Sequence, residues 1–503
     1  MTDRSVMLFR VKDAGIWLPG AAAAVAAAAL AAAGLTSAGA ALAAPSRAAS
    51  PAASTAVTWL GAREVPGIAK LNTGGDAQIL SVSCSSTGNC GAGGYYTDLA
   101  GVPQAFVVNE VNRSWSGARK VPGTAALNLG TGGARVTSVS CRAAGYCTAG
   151  GFYTDASGAA QAFVADETKG TWHPAEEVPG TAGLNSGGSA EVLTVSCGSH
   201  GNCSAGGLYT DAARRQQAFL ASEVNGSWSK AREVPGSSGL NKGGNAQLST
   251  LSCSSPGNCG GGGYYADRSG YGQAFVISET KGTWGTALEV PGTAALNGLN
   301  ALIAAISCPS AGNCGAGGMY TLFSGHSQAF VVSEVKGHWH TAVTVPGTAA
   351  LNRDGYATLT TVSCHAAGNC AAAGVFEEGT GNRQAFVVSE AKGRWRSAEK
   401  VPGTSTLNVG GNAQPESVSC GAPGNCTAGG FYSDKVGDLQ AFVVSEINGG
   451  WRGAIEVPNS GTLNKGGTAL LNSLSCTSAQ VCSGGGAYTI GTGEVEAFVF
   501  GET

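Results

Sequence analysis

Sixteen cysteines are the residues of this 503-residue chain whose types and spacing first suggest chemistry. They fall into eight pairs, each spaced C-x5-C: Cys84 with Cys90, Cys141 with Cys147, Cys197 with Cys203, Cys253 with Cys259, Cys308 with Cys314, Cys364 with Cys370, Cys420 with Cys426, and Cys476 with Cys482. Close thiol pairs can oxidise to a disulfide, cycle between redox states or hold a metal. A structural zinc needs four ligands, and each unit supplies two thiolates with no histidine on the same beat. An even count at regular spacing in an exported chain reads as local disulfides. The six histidines (His173, His200, His326, His338, His340, His365) are scattered. His338 and His340 flank Trp339 on one side of a strand, a possible metal pair with no third ligand in view. H-E-x-x-H, G-x-S-x-G, the phosphate-binding loop and the EF-hand loop are all missing. No metal or cofactor is expected.

Composition narrows the function classes. The 80 glycines are about 16% of the chain, twice the usual share, and charged residues are only 12%. A net charge of −3 excludes a polybasic nucleic-acid binder, so no nucleic-acid partner is expected. A hydrophobic fraction of 43% is enough to build a core.

The N-terminus reads as an export segment. Arg4, Arg10 and Lys12 precede an uncharged, alanine-dominated run from Ala14 to Ala44, which ends in Ala41-Leu42-Ala43-Ala44-Pro45. Basic start, apolar middle and small-residue exit are the marks of a signal peptide. An uncleaved membrane anchor is the competing reading of residues 1–44, and would be the chain's only membrane contact. Residues 45–56, rich in Ala, Ser and Pro, read as a linker.

Residues 57–503 are eight copies of one unit. First cysteines are 57, 56, 56, 55, 56, 56 and 56 residues apart, and tryptophan keeps the beat at 59, 115, 172, 228, 284, 339, 395 and 451. Each unit reads as four strands, A to D. A ends in an alternating stretch such as Leu80-Ser81-Val82-Ser83-Cys84. B is glycine-rich, from Gly91 to Asp98. C is the Gln104-Ala105-Phe106-Val107-Val108 type. D runs from Trp115 to Val121 and stops at Pro122. Asn-Gly or Lys-Gly before the tryptophan marks a two-residue hairpin between C and D. No window has a helical period.

Units of about 56 residues in four antiparallel strands are propeller blades. The fold expected is all-β, an eight-bladed β-propeller. Trp59 to Pro66 is a D strand with no A to C before it, and the last unit stops after C. The N-terminal strand is therefore expected to complete the eighth blade and leave no open edge.

Residues repeated eight times are expected to serve the scaffold. The Trp, Phe and Tyr pack between blades, and the B-strand glycines let backbones approach closely. The Gln before Ala-Phe satisfies backbone groups between blades, and the crossover Asn is a turn-former. D-to-A crossovers and B–C loops share one rim, and A–B and C–D turns the other. The B–C tips vary most, so Arg214, Arg268, Tyr271, Phe323, His326 and Arg383 are the candidate ligand-binding residues.

The stretch Ser333-Glu334-Val335-Lys336-Gly337-His338-Trp339 loosely resembles the Asp-box turns of sialidase-type propellers. Here the Asp is missing and the spacing is one residue short, so sialidase catalytic residues do not map onto the chain. Residues 57–503 resemble secreted, repeat-built and lectin-like propellers at the level of architecture. The expected function is a secreted or cell-envelope, non-catalytic binding or scaffold protein. Its partner is a glycan or another extracellular protein, met on the loop rim. The alternatives are a polysaccharide hydrolase or lyase using Glu377, Glu378 or Asp438, and a purely structural envelope protein.

Overall fold

The computed structural model describes residues 58–502, residue 380 excepted. The stretches expected to be an export segment (1–44) and a linker (45–56) lie outside the described residues. The chain is an eight-bladed β-propeller, built from eight antiparallel sheets. In the first blade, A is Ala77–Ser86, B is Asn89–Thr97 and C is Pro103–Val111. D is broken into Ser114–Trp115 and Arg119–Lys120, both paired with C. The sequence suggested a continuous D strand. The break has a physical reason: the amide of Ala118 leaves the ladder and donates to the Pro66 carbonyl of the preceding blade, 2.7 Å away.

The same bond recurs in every blade, from Ala62 to Pro458 and on to Ala454 to Pro402. It accounts for the spaced alanine and proline of W-x-x-A-x-x-V-P-G and forms an outer ring of eight backbone clasps. An inner ring lies on the A strands. The amide of each first cysteine donates to a serine hydroxyl of the preceding blade, as in Cys141 to Ser83 (2.9 Å) and, at closure, Cys84 to Ser475 (3.0 Å). All eight such bonds are present. Six blades repeat the device one step earlier, as in Val139 to Ser81.

Closure follows the expected route. Trp59–Glu64 pairs antiparallel with Val495–Glu502 of the eighth blade. The Tyr488 hydroxyl donates to Glu64, the partnership that Tyr153 makes with Glu177 inside the second blade.

All sixteen cysteines are disulfide-bonded, each to the partner that the spacing suggested and none across blades. In the first four blades Cys84 bonds Cys90, Cys141 bonds Cys147, Cys197 bonds Cys203 and Cys253 bonds Cys259. In the last four Cys308 bonds Cys314, Cys364 bonds Cys370, Cys420 bonds Cys426 and Cys476 bonds Cys482. Each bridge closes its own A–B hairpin, with Cα atoms 3.9–4.0 Å apart in all eight. Among the described residues no cysteine is left as a free thiol for redox cycling or metal binding.

The phenylalanines of the C strands are fully buried, and Trp172 packs against Ala105 and Val107 of the blade before it. Two glycines explain A-G-G. A side chain on Gly93 would strike Val136 of the next blade, and one on Gly94 the Gln78 carbonyl within its own sheet. Where the sixth blade has Ala373 at the first position, Gly374 is kept at the second.

One element departs from the all-strand expectation. Each D-to-A crossover contains a four-residue helical turn, such as Thr124–Leu127. It is too short to show a period in the sequence. Gly123 enters it at φ 80°, and in five crossovers the Thr hydroxyl donates back to the preceding Val carbonyl, buried.

Removal of the chain up to Glu64 is expected to lower the melting temperature and speed amide exchange in residues 495–502. Ser83→Ala, which strips the acceptor from the Cys141 amide, should cost about 1 kcal/mol in denaturant unfolding.

Candidate functional site

The loop rim has a regular internal frame. The B–C Asp accepts amides of its own turn, as Asp98 does from Ala100 and Val102. It also accepts the Gln side-chain amide, Gln104 Nε2 to Asp98 Oδ2 at 2.8 Å. The Gln oxygen in turn accepts from the crossover Asn, as in Asn241 to Gln217 at 2.8 Å. The same Asn reaches the neighbouring C strand, Asn241 Nδ2 to the Gln216 carbonyl. The Gln is thus a relay between two side chains rather than a partner of backbone groups. The Asn ties blade to blade as well as forming its turn.

On this frame the candidate ligand residues sit on four successive blades, one loop each. Arg214, Arg268 and His326 are exposed, Tyr271 is 41% exposed and Phe323 80%. Arg383 is half-buried, paired with Glu377 at 3.3 Å and lying over the Tyr356 ring. Among the described residues no hydrogen bond or ion pair joins any two of the six. Glu377 and Glu378 are each engaged by a cation, Arg383 and Lys400 respectively.

A better-built site lies on the opposite, cystine-bearing rim, between the second and third blades. It is a groove of about 340 Å³. Arg142, Tyr146, Asp166, His173, Glu176, His200 and Glu223 are among its walls. Four of these residues, Arg142, Tyr146, Asp166 and His200, occur at their repeat position in no other copy.

Two of these departures, Tyr146 and Asp166, rewire a scaffold contact. In most blades the residue before the second cysteine is an Asn that binds its own A–B turn, as Asn202 binds Ser199 and His200. Tyr146 stands there instead, and its ring meets the His200 ring of the next blade at 4.2 Å. Five blades carry Ser before the buried C-strand Glu. In three of the five, Ser222, Ser278 and Ser389, it accepts the next blade's indole, and Ser278 and Ser389 also donate to the next blade's Glu. Ser278 accepts from Trp339 at 3.0 Å and donates to Glu334 at 2.7 Å. Asp166 replaces it in the second blade. It accepts from Trp228 (3.2 Å) and Thr148 (2.6 Å), and as a carboxylate has no proton to give. Glu223, only 4% exposed, has its Oε2 unpartnered, as does Glu446, and receives no proton from Asp166.

Glu223 belongs to a series of buried glutamates, one in each of the first seven blades. Burial raises the carboxyls of Glu110, Glu167, Glu279, Glu334, Glu390 and Glu446. Burial, then Asp166 and Glu176, hold Glu223 up to about 8. Two carboxyls that repel at close quarters separate in this way. At the loop rim the reverse holds, where hydrogen bonds from Ser157 and Gln161 pull Asp155 down to about 2. Among the described residues no cluster of three or more His, Cys, Asp or Glu side chains suited to a metal forms, at His338 and His340 or elsewhere.

The sequence reading looked to the variable loops and missed this groove, because its residues occupy constrained hairpin positions. The available signal was the repeat itself: Tyr146 and Asp166 interrupt columns held by Asn in six copies and Ser in five.

No family model matches the chain, and no curated protein does. Solved structures of similar architecture exist. The lectin BP39L from Burkholderia pseudomallei is 14% identical over 76% of this chain and 99% of its own, with a TM-score of 0.40. The fucose-specific lectin of Aleuria aurantia is 13% identical over 63% and 93%, with a TM-score of 0.30. A polysaccharide lyase of family PL25, an ulvan lyase, is 10% identical over 80% and 96%, with a TM-score of 0.41. The likeness is one of fold.

The raised carboxyls fix a sign for pH. A glutamate whose folded pKa exceeds its unfolded value favours the folded state less as pH rises between the two. For Glu223 that window runs from the ordinary carboxyl range up to about 8. Asp155 acts oppositely and only at lower pH, its contribution fading as pH falls toward about 2. Thermal stability should therefore fall from pH 5 to pH 8. Glu223→Gln should raise stability at pH 8 by about 2 kcal/mol and change it little at pH 5.

Proposed function

We propose that this protein is an exported, non-catalytic carbohydrate-binding propeller that takes its ligand in the groove between the second and third blades. The observation that carries this reading is the groove itself. Its volume falls in the range of small-ligand sites. A tilted Tyr146–His200 pair offers ring faces for the C–H surface of a sugar. Carboxyl oxygens of Asp166, Glu176 and Glu223 stand ready for hydroxyl donors. Eight disulfides suit an oxidising compartment and support export, free or envelope-associated. The loop-rim set, exposed Arg214, Arg268, Tyr271, Phe323 and His326 with half-buried Arg383, offers a second, shallower surface for a glycan or an extracellular protein. Repeated weak contacts there would add avidity.

A polysaccharide-cleaving role for Glu377, Glu378 and Asp438 has less support. Two of the three carboxylates are engaged by Arg383 and Lys400. Glu377 and Glu378 are also consecutive in one strand and so face opposite sides of the sheet.

Glycan-array screening followed by calorimetry tests the reading. Tyr146→Asn, which restores the residue found in six other blades, should weaken the best glycan by roughly three- to tenfold without lowering the melting temperature. No retained glycan on the array would overturn it.

A further inference from the structure

The second blade is the only copy with an acid at the position before its buried glutamate. The resulting carboxyl pair faces a groove rather than a packed interface. Three facts meet there. Glu223 Oε2 is buried without a partner. Asp166, Glu176 and Glu223 line the same groove, where burial and then Asp166 raise both glutamates. The Arg142 guanidinium that could neutralise them is turned to the Ser254 carbonyl, 3.4 Å away. A buried acceptor with no donor is a costly state, and a pair of facing carboxyls adds repulsion. The complement of this arrangement is a compact cation with several N–H donors.

We propose that the groove is specific for an amino sugar, whose free ammonium seats between Asp166 and Glu223. The proposal rests on the carbohydrate reading of the groove and names the ligand class within it.

A protonated amine carries three N–H donors on one centre and a full positive charge. It can satisfy Glu223 Oε2 and Asp166 together and offset the repulsion that ionising Glu223 beside Asp166 would create, which a neutral hydroxyl cannot do. It takes the place of the proton that otherwise keeps Glu223 neutral among Asp166, Glu176, Arg142, His173 and His200. An N-acetylated sugar has one N–H, no charge and an added acyl group. The sugar ring is left to the Tyr146–His200 faces.

The test is calorimetric titration of the full chain with a glucosamine tetramer and with its fully N-acetylated counterpart, at pH 6 and low salt. The amine-bearing tetramer is expected to bind about tenfold more tightly, the scale of one charge-assisted hydrogen bond. Asp166→Ser restores the residue of five other blades, which at Ser278 and Ser389 serves indole and glutamate alike. It should bring the two tetramers to parity with an unchanged melting temperature. Glu223→Gln gives a second route to the same loss of preference. Equal binding of both tetramers by the native chain would overturn the inference and leave the carbohydrate reading standing. A preference that survives both substitutions would also overturn it. Binding of neither tetramer, together with an empty glycan array, would overturn both.

Discussion

The structure depends on how the innermost strand of each blade disposes of its unpaired edge. An edge strand presents amides and carbonyls with no ladder partner, and here eight such edges converge on one axis. The serines of S-V-S-C answer this by accepting the next blade's Cys and Val amides. The hydroxyl is short enough to lie between tightly apposed strands. The glycines of the B strand allow that apposition. Further out, the Ala-to-Pro backbone bond holds the spacing again. Blade is thus fixed to blade at two radii, and the consensus that looks like a string of small residues is a list of these contacts.

The outer side of the cystine rim follows the same logic with different groups. Ser, Trp and Glu from successive blades form a hydrogen-bonded relay. Exchange of one Ser for an Asp keeps the indole bond and removes the proton that the next glutamate needs. The second-to-third-blade groove is therefore a perturbed copy of a scaffold joint. Its unusual electrostatics come from burial together with Asp166 and Glu176 around one glutamate.

Much of the architecture was readable in the sequence. Blade number, strand order, the local disulfides and the closing strand follow from a strict beat of Cys and Trp and from the phase of the two partial units. The four-residue crossover helices were hidden, because one helical turn has no measurable period. The D-strand break was hidden too, since it depends on a bond to another blade. The roles of Gln104 and Asn128 could be narrowed to local or inter-blade duty, but which partner each takes is a matter of three-dimensional register. The groove was missed for a different reason. Comparing units to find their consensus draws attention to what is shared, whereas Arg142, Tyr146, Asp166 and His200 are informative because they are not shared.

Closure of the eighth sheet by Trp59–Glu64 also bears on how the molecule is made. The other sheets pair only strands close in the sequence, and each has its sulfur bridge within a seven-residue span. Such units can form as the polypeptide emerges, since short loops close quickly and at small entropic cost. The final sheet joins residues more than four hundred positions apart. The annulus can therefore lock only once residues 495–502 have been made, and until then the strand Trp59–Glu64 has no partner. Pairing so distant in sequence is the kind that folds slowly and leaves edges exposed to aggregation.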